Sequence, residues 1–149
     1  MGIFDWFGAR KKVTKVAMSV TVAAAVVAGW TLFSKKVEQS RTTNPEAAKN
    51  PIVQIVYDSS DVITNRLSYA MDIANKENVT EQELTSAINN LDYVNKFFLK
   101  LNDKSTSYLI SKGWITPQEA ADARTARDIS VSTRQLLMER LAELHRHDG

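Results

Sequence analysis

Histidine is the side chain best suited to acid–base chemistry near neutral pH, because its unperturbed pKa is about 6.5. The two histidines, His145 and His147, both fall within the last five residues of the 149-residue chain. A zinc site needs three or four rigidly held ligands, and two histidines at a chain end do not supply them. The chain contains no cysteine, which excludes thiolate metal sites and cysteine nucleophiles. The sequence therefore predicts no metal site and no cofactor.

Other groupings that carry catalysis are also missing. Asp58 and Asp61 share a helix face at a spacing of three residues, but a solvent-exposed pair of carboxylates is the simpler interpretation. The five glycines are scattered and form no phosphate-binding loop. We therefore predict that the protein is not an enzyme, with no catalytic residues and no small-molecule substrate.

Basic residues at helical spacing raise the possibility of nucleic-acid binding. One stripe consists of Lys96, Lys100 and Lys104. However, residues 37–149 carry 13 basic against 16 acidic side chains, and this net negative charge opposes the attraction of phosphates. A membrane-tethered nucleic-acid-binding protein is an alternative, but we do not expect nucleic acid to be the partner.

A run without charges dominates the N-terminal part of the chain. Residues 16–33 contain no charged side chain and would span roughly 27 Å as a helix, close to the ~30 Å hydrocarbon core of a bilayer. We therefore predict a transmembrane helix at residues 13–36. A cleaved signal peptide and a buried helix of a globular domain are the other interpretations. The predicted anchor residues are Val16, Trp30, Phe33, Lys35 and Lys36.

The flanks of this run suggest an orientation. Residues 1–12 combine large apolar side chains with Arg10, Lys11 and Lys12, a pattern typical of a segment lying on lipid headgroups. Membrane lipid is therefore a predicted partner. The positive-inside rule favours an N-terminus in the cytoplasm, with the helical domain on the opposite side.

Small residues recur along one face of the predicted anchor. They stand four residues apart, at Ala17, Thr21, Ala25 and Gly29. A face of small side chains lets two helix backbones approach closely in lipid, where packing drives helix association. The spacing predicts self-association through this face, although an alanine-rich segment also produces such spacings by chance.

Three start signals divide the rest of the chain into helices. Each signal joins an N-cap residue to a proline or a capping glutamate. The signals are Asn50-Pro51, Thr80 with Glu83, and Thr116-Pro117 with Glu119. Apolar residues then recur every three or four positions. After a linker at 37–50, we predict helices at about 51–77, 81–112 and 117–146.

No alternating pattern competes with these helices, so no strand is predicted. The fold class is all-α, with one N-terminal transmembrane helix followed by an antiparallel three-helix bundle or coiled-coil-like domain at 51–149. Short loops force neighbouring helices to run antiparallel. A bundle complete within one chain and a bundle completed by another chain both fit the apolar stripes.

The predicted helix at 81–112 has aromatic side chains outside its main apolar stripe. Tyr93 and Phe97 lie away from the main stripe, and Trp114 falls in the following turn. They suit a second core face or a patch that docks a protein partner. Tyr93, Phe97 and Trp114 are the predicted docking residues.

These observations predict a non-enzymatic, single-pass membrane protein. It would act as a scaffold, adaptor or assembly subunit at a membrane and bind a protein partner or a second copy of itself. The order of a short start, one span and a helical part resembles that of the inner-membrane spanins of phages. This resemblance in layout implies a lysis or membrane-remodelling factor as another alternative.

Overall fold

The computed structural model describes residues 20–148, and all of the regular structure within them is helical. This confirms the predicted all-α class. The six helices of this region are α1 (Val20–Thr43), α2 (Pro45–Ala48), α3 (Pro51–Ala74), α4 (Glu81–Lys100), α5 (Asp103–Ser111) and α6 (Pro117–Asp148).

The four long helices form one up-and-down bundle. α1 packs against α3 and α6, and α4 packs against the same two helices from the other side. Neighbouring helices run antiparallel because short connections join them in sequence. Two contacts between α1 and α3 show the antiparallel direction: Trp30 reaches Thr64, whereas Glu38, later in α1, reaches Ser60, earlier in α3. The bundle therefore has four helices where the sequence predicted three.

The additional helix is the segment predicted to cross a membrane. Trp30 and Phe33 are fully buried in the core of the bundle. The Trp30 ring meets the rings of Phe97 and Phe98 edge to face, at centroid distances of 5.5 and 5.7 Å. Its Nε1 donates a hydrogen bond of 2.9 Å to Thr64 Oγ1. Through these contacts the apolar side of α1 packs against the other helices of the bundle.

The membrane prediction is therefore corrected. Among residues 20–148, no helix combines the length and apolar character needed to cross a bilayer. The predicted single-pass localisation, and the orientation derived from it, are wrong. α1 runs on past exposed Lys35 and half-buried Lys36, and its apolar side chains pack against α3 and α6. Val16, Ala17 and the predicted interfacial segment at 1–12 lie outside the described residues.

The predicted linker at 37–50 is also mostly helical. α1 continues to Thr43, and α2 begins directly after Asn44. Two polar contacts tie this stretch to the bundle: Ser60 Oγ donates to Glu38 Oε1 at 2.7 Å, and Ser40 Oγ donates to the Trp114 carbonyl at 2.9 Å. This polar segment is held by side-chain hydrogen bonds that composition does not reveal.

The predicted helix at 81–112 is divided into α4 and α5. Asn102 causes the break, because its side chain accepts a hydrogen bond of 2.9 Å from the Ser105 backbone N–H and caps a new helix. Asparagine competes with helix continuation through such local bonds. The predicted stop after Lys112 is confirmed at Gly113, whose φ of 73° is left-handed.

The capping box at the start of α4 is confirmed. Thr80 Oγ1 accepts from the Glu83 backbone N–H, and Glu83 Oε1 accepts from the Thr80 backbone N–H, both at 3.0 Å. A hydrogen bond from Lys76, together with the Thr80 backbone bond, holds the pKa of Glu83 below its ordinary value. The box therefore joins the end of α3 to the beginning of α4.

We expect Thr80→Ala to lower the free energy of unfolding by about 1 kcal/mol, because the Glu83 N–H loses its acceptor. Urea unfolding followed by circular dichroism measures the change. Thr85→Ala is the matched control, since Thr85 is exposed within α4 and alanine has the higher helix propensity. Equal midpoints for Thr80→Ala and the parent protein would contradict a stabilising cap.

Candidate protein-docking face

The three predicted docking residues do not form one patch. Tyr93 is 44% exposed, whereas Phe97 and Trp114 are only 6% and 4% exposed. Phe97 contacts the ring of Trp30, and Trp114 packs edge to face with Tyr108. Of the three, only Tyr93 is placed where a partner could reach it.

The predicted self-association face is partly covered within the chain. Gly29 is half-buried, and a Cβ atom at this position would lie 3.4 Å from Asp122 Cβ. Ala25 is exposed, and Thr21 lies in the first turn of α1. The small residue at position 29 therefore brings α1 close to α6, and self-association through this face stays a prediction.

The guanidinium group of Arg66 stacks on the ring of Tyr93. The Arg66 guanidinium carbon lies 4.2 Å from the Tyr93 ring centroid, within the range of a cation–π contact. Arg66 Nη1 also donates a hydrogen bond of 2.9 Å to Asn90 Oδ1. The ring and the hydrogen bond together fix the guanidinium across the seam between α3 and α4.

Two more exposed side chains extend this surface along α3. Val62 and Tyr69 are both exposed. They stand four residues before and three residues after Arg66, so the three lie on one helix face. We refer to Val62, Arg66, Tyr69 and Tyr93 as the α3–α4 face. Val62 and Tyr69 were not among the predicted docking residues, although their helical spacing beside the core stripe of α3 is a signal that the sequence contains.

The polar groups of the described residues assemble no catalytic centre. No group of three or more histidine, cysteine or carboxylate side chains within residues 20–148 comes close enough to hold a metal ion. His145 Nε2 lies 3.0 Å from Glu81 Oε1, so this histidine joins the end of α6 to the beginning of α4. Burial lowers the pKa of the Arg140 guanidinium, and its Nη2 donates to the Glu77 carbonyl. Both contacts hold the last part of α6 against the connection between α3 and α4 or the beginning of α4.

The basic residues are divided between paired and exposed groups. Arg127 pairs with Asp103 and Asp128, and Arg134 pairs with Asp92. The predicted lysine stripe is exposed, but Lys104 stands on α5, beyond the helix break. The pairing and the break reduce the basic surface that could follow a nucleic-acid backbone.

The architecture places the chain in the class of up-and-down four-helix bundles. Comparison with protein-family models, curated proteins and solved structures finds no match to this chain. One architecture of this kind hosts many unrelated functions, which reside in particular sites. Within the described residues, the α3–α4 face is the site on which a function can rest.

Proposed function

We propose that this protein is a non-enzymatic helical bundle that binds a protein chain through the α3–α4 face. It acts as a scaffold, adaptor or assembly subunit. The observation that carries the proposal is the stack of half-buried Arg66 on exposed Tyr93, with exposed Val62 and Tyr69 on the same side of α3. Tyrosine and arginine are enriched among the residues that contribute most to protein–protein binding.

The stack is arranged before any partner arrives. Arginine ordinarily loses much rotamer entropy when an interface forms, on the order of 0.5–1.5 kcal/mol per immobilised side chain. Arg66 is already held by the Tyr93 ring and by Asn90 Oδ1. Binding a partner therefore requires little additional ordering, and the tyrosine rings supply rigid contact area.

An exposed tyrosine on another part of the bundle also lies beside a cation. Tyr108, on α5, is 43% exposed, and Lys112 Nζ lies 5.6 Å from its ring centroid. Its surroundings differ from those of the α3–α4 face, because α5 packs against α6. Tyr108 is therefore a control for an exposed tyrosine beside a cation outside the proposed docking face.

We expect Tyr93→Ala to weaken partner binding by about tenfold or more, as loss of a binding hot spot does. The measurement is quantitative co-purification of the full chain after cross-linking in cells, with mass spectrometry and absorbance at 260 nm. The expected product is a stoichiometric protein partner, either another protein or a second copy.

Tyr108→Ala is the control and should retain the partner in full. Because both tyrosines are exposed, both variants should keep the circular dichroism of the parent protein. Undiminished partner recovery with Tyr93→Ala would contradict the proposed face. Nucleic acid as the sole stoichiometric companion would contradict the proposed function.

A further inference from the structure

Opposite charges stand beside the α3–α4 face, one sign on each helix. Lys96 and Lys100 are exposed on α4, and Asp58 and Asp61 are exposed on α3. Among the described residues, none of these four forms an ion pair, and Asp58 accepts only an amide hydrogen bond of 2.8 Å from Gln54. Arg134 and Asp92, on the side of α4 that packs against α6, are by contrast paired within the chain.

The two sets of charges lie at the same height along the bundle. Arg66 contacts Asn90, which fixes the register of the antiparallel helices α3 and α4. Lys96 comes six residues after Asn90, and Ser60 comes six residues before Arg66. Each interval is about 9 Å of helix. Lys96 is therefore level with the stretch of α3 between Asp58 and Asp61.

We propose that the partner at the α3–α4 face is a second copy of this chain. This inference rests on the proposed function and names the partner. A two-fold axis running parallel to the helices, between the two copies, lays α3 of each copy on α4 of the other. Rotation about this axis leaves each residue at the same height along the bundle. Lys96 and Lys100 of each copy therefore meet Asp58 and Asp61 of the other copy, and this contact forms twice in one dimer. Closed two-fold dimers are the commonest symmetric assembly of soluble proteins.

The charges select this axis over the other face-to-face arrangement. A two-fold axis perpendicular to the helices would lay α3 on α3 and α4 on α4. At the height of these charges it opposes carboxylates to carboxylates and ammonium groups to ammonium groups, and at any other height it leaves the charges of the two copies apart. Like charges placed across an interface disfavour the complex. The parallel axis also brings the tyrosines and Val62 to the centre and leaves the lysine–aspartate pairs at the rim, the ordinary anatomy of a protein interface.

A charge-swap experiment on the full chain tests the dimer. One variant carries Lys96→Glu and Lys100→Glu, and the other carries Asp58→Lys and Asp61→Lys. In sedimentation equilibrium at low salt, the parent protein should dimerise, and each variant alone should dimerise at least tenfold more weakly. An equimolar mixture should recover a one-to-one dimer, because each altered helix then faces the opposite charge in the other variant.

Lys35→Glu with Lys49→Glu is the control, since both lysines are exposed on other parts of the surface. It should leave the dimer unchanged. A parent protein that stays monomeric, single variants that dimerise like the parent, or a mixture that fails to recover would each overturn the inference. If a different protein still co-purifies with the parent but not with Tyr93→Ala, the proposed function stands and only the identity of the partner is wrong.

Discussion

Replacing Trp30 with alanine should lower the free energy of unfolding of the purified protein by about 3–5 kcal/mol, the range for loss of a buried aromatic side chain. Trp30 is fully buried, contacts three phenylalanine rings and donates a hydrogen bond to Thr64. Alanine leaves a cavity and a hydroxyl without this donor. Urea unfolding followed by circular dichroism measures the loss.

Leu32→Ala is the matched control on the same helix. Leu32 is 59% exposed, so its truncation should change the free energy of unfolding by no more than about 0.5 kcal/mol. A large difference between the two variants is the signature of a helix with one side in a protein core. Equal effects at the two positions would contradict the packing of α1 in the bundle.

The error about α1 has a physical origin. An apolar helix buried in a protein and a helix that crosses a bilayer both lack charges over several turns. What distinguishes the two is the set of neighbours, and these come from positions far along the chain. Trp30 finds Thr64 and Phe98 only after α3 and α4 fold against α1. Periodicity within α1 could not reveal those contacts.

The starts and ends of helices could be predicted, because they depend on a few adjacent residues. The capping box of Thr80 and Glu83 is confirmed, and so is the predicted helix end at 112, which Gly113 follows with a left-handed φ. Asn102 carries a similar signal, but the helix was predicted to continue through it. There the apolar periodicity on both sides outweighed a single asparagine, although asparagine is a strong N-cap residue.

The candidate docking face was only partly predictable for a related reason. Tyr93 and Phe97 are one helical turn apart on α4, yet one is exposed and the other is buried. The difference depends on how far α1 and α3 cover that side of α4. Arg66 was not considered at all, because its role requires α3 and α4 to be paired in the observed register.

Replacing Ala126 with leucine should destabilise the protein by about 1–3 kcal/mol, because the larger side chain overpacks a filled interior. Between Pro117 and Asp128, the buried residues of α6 are alanines, at Ala120, Ala123 and Ala126. This part of α6 lies beside α1, where Gly29 comes close to Asp122. The small side chains of α6 therefore allow α1 and α6 to approach closely. They do not leave the core poorly packed.

Ala142→Leu provides the comparison for this substitution. Ala142 is exposed near the end of α6, so the same added atoms meet solvent and should change the free energy of unfolding by no more than about 0.5 kcal/mol. Thermal and urea unfolding of both variants give the two differences. If Ala126→Leu proved stabilising, the leucine would be filling a void, and the alanines of α6 would not mark a close helix contact. A loss confined to Ala126 would show that the small residues of α6 set the spacing of the bundle.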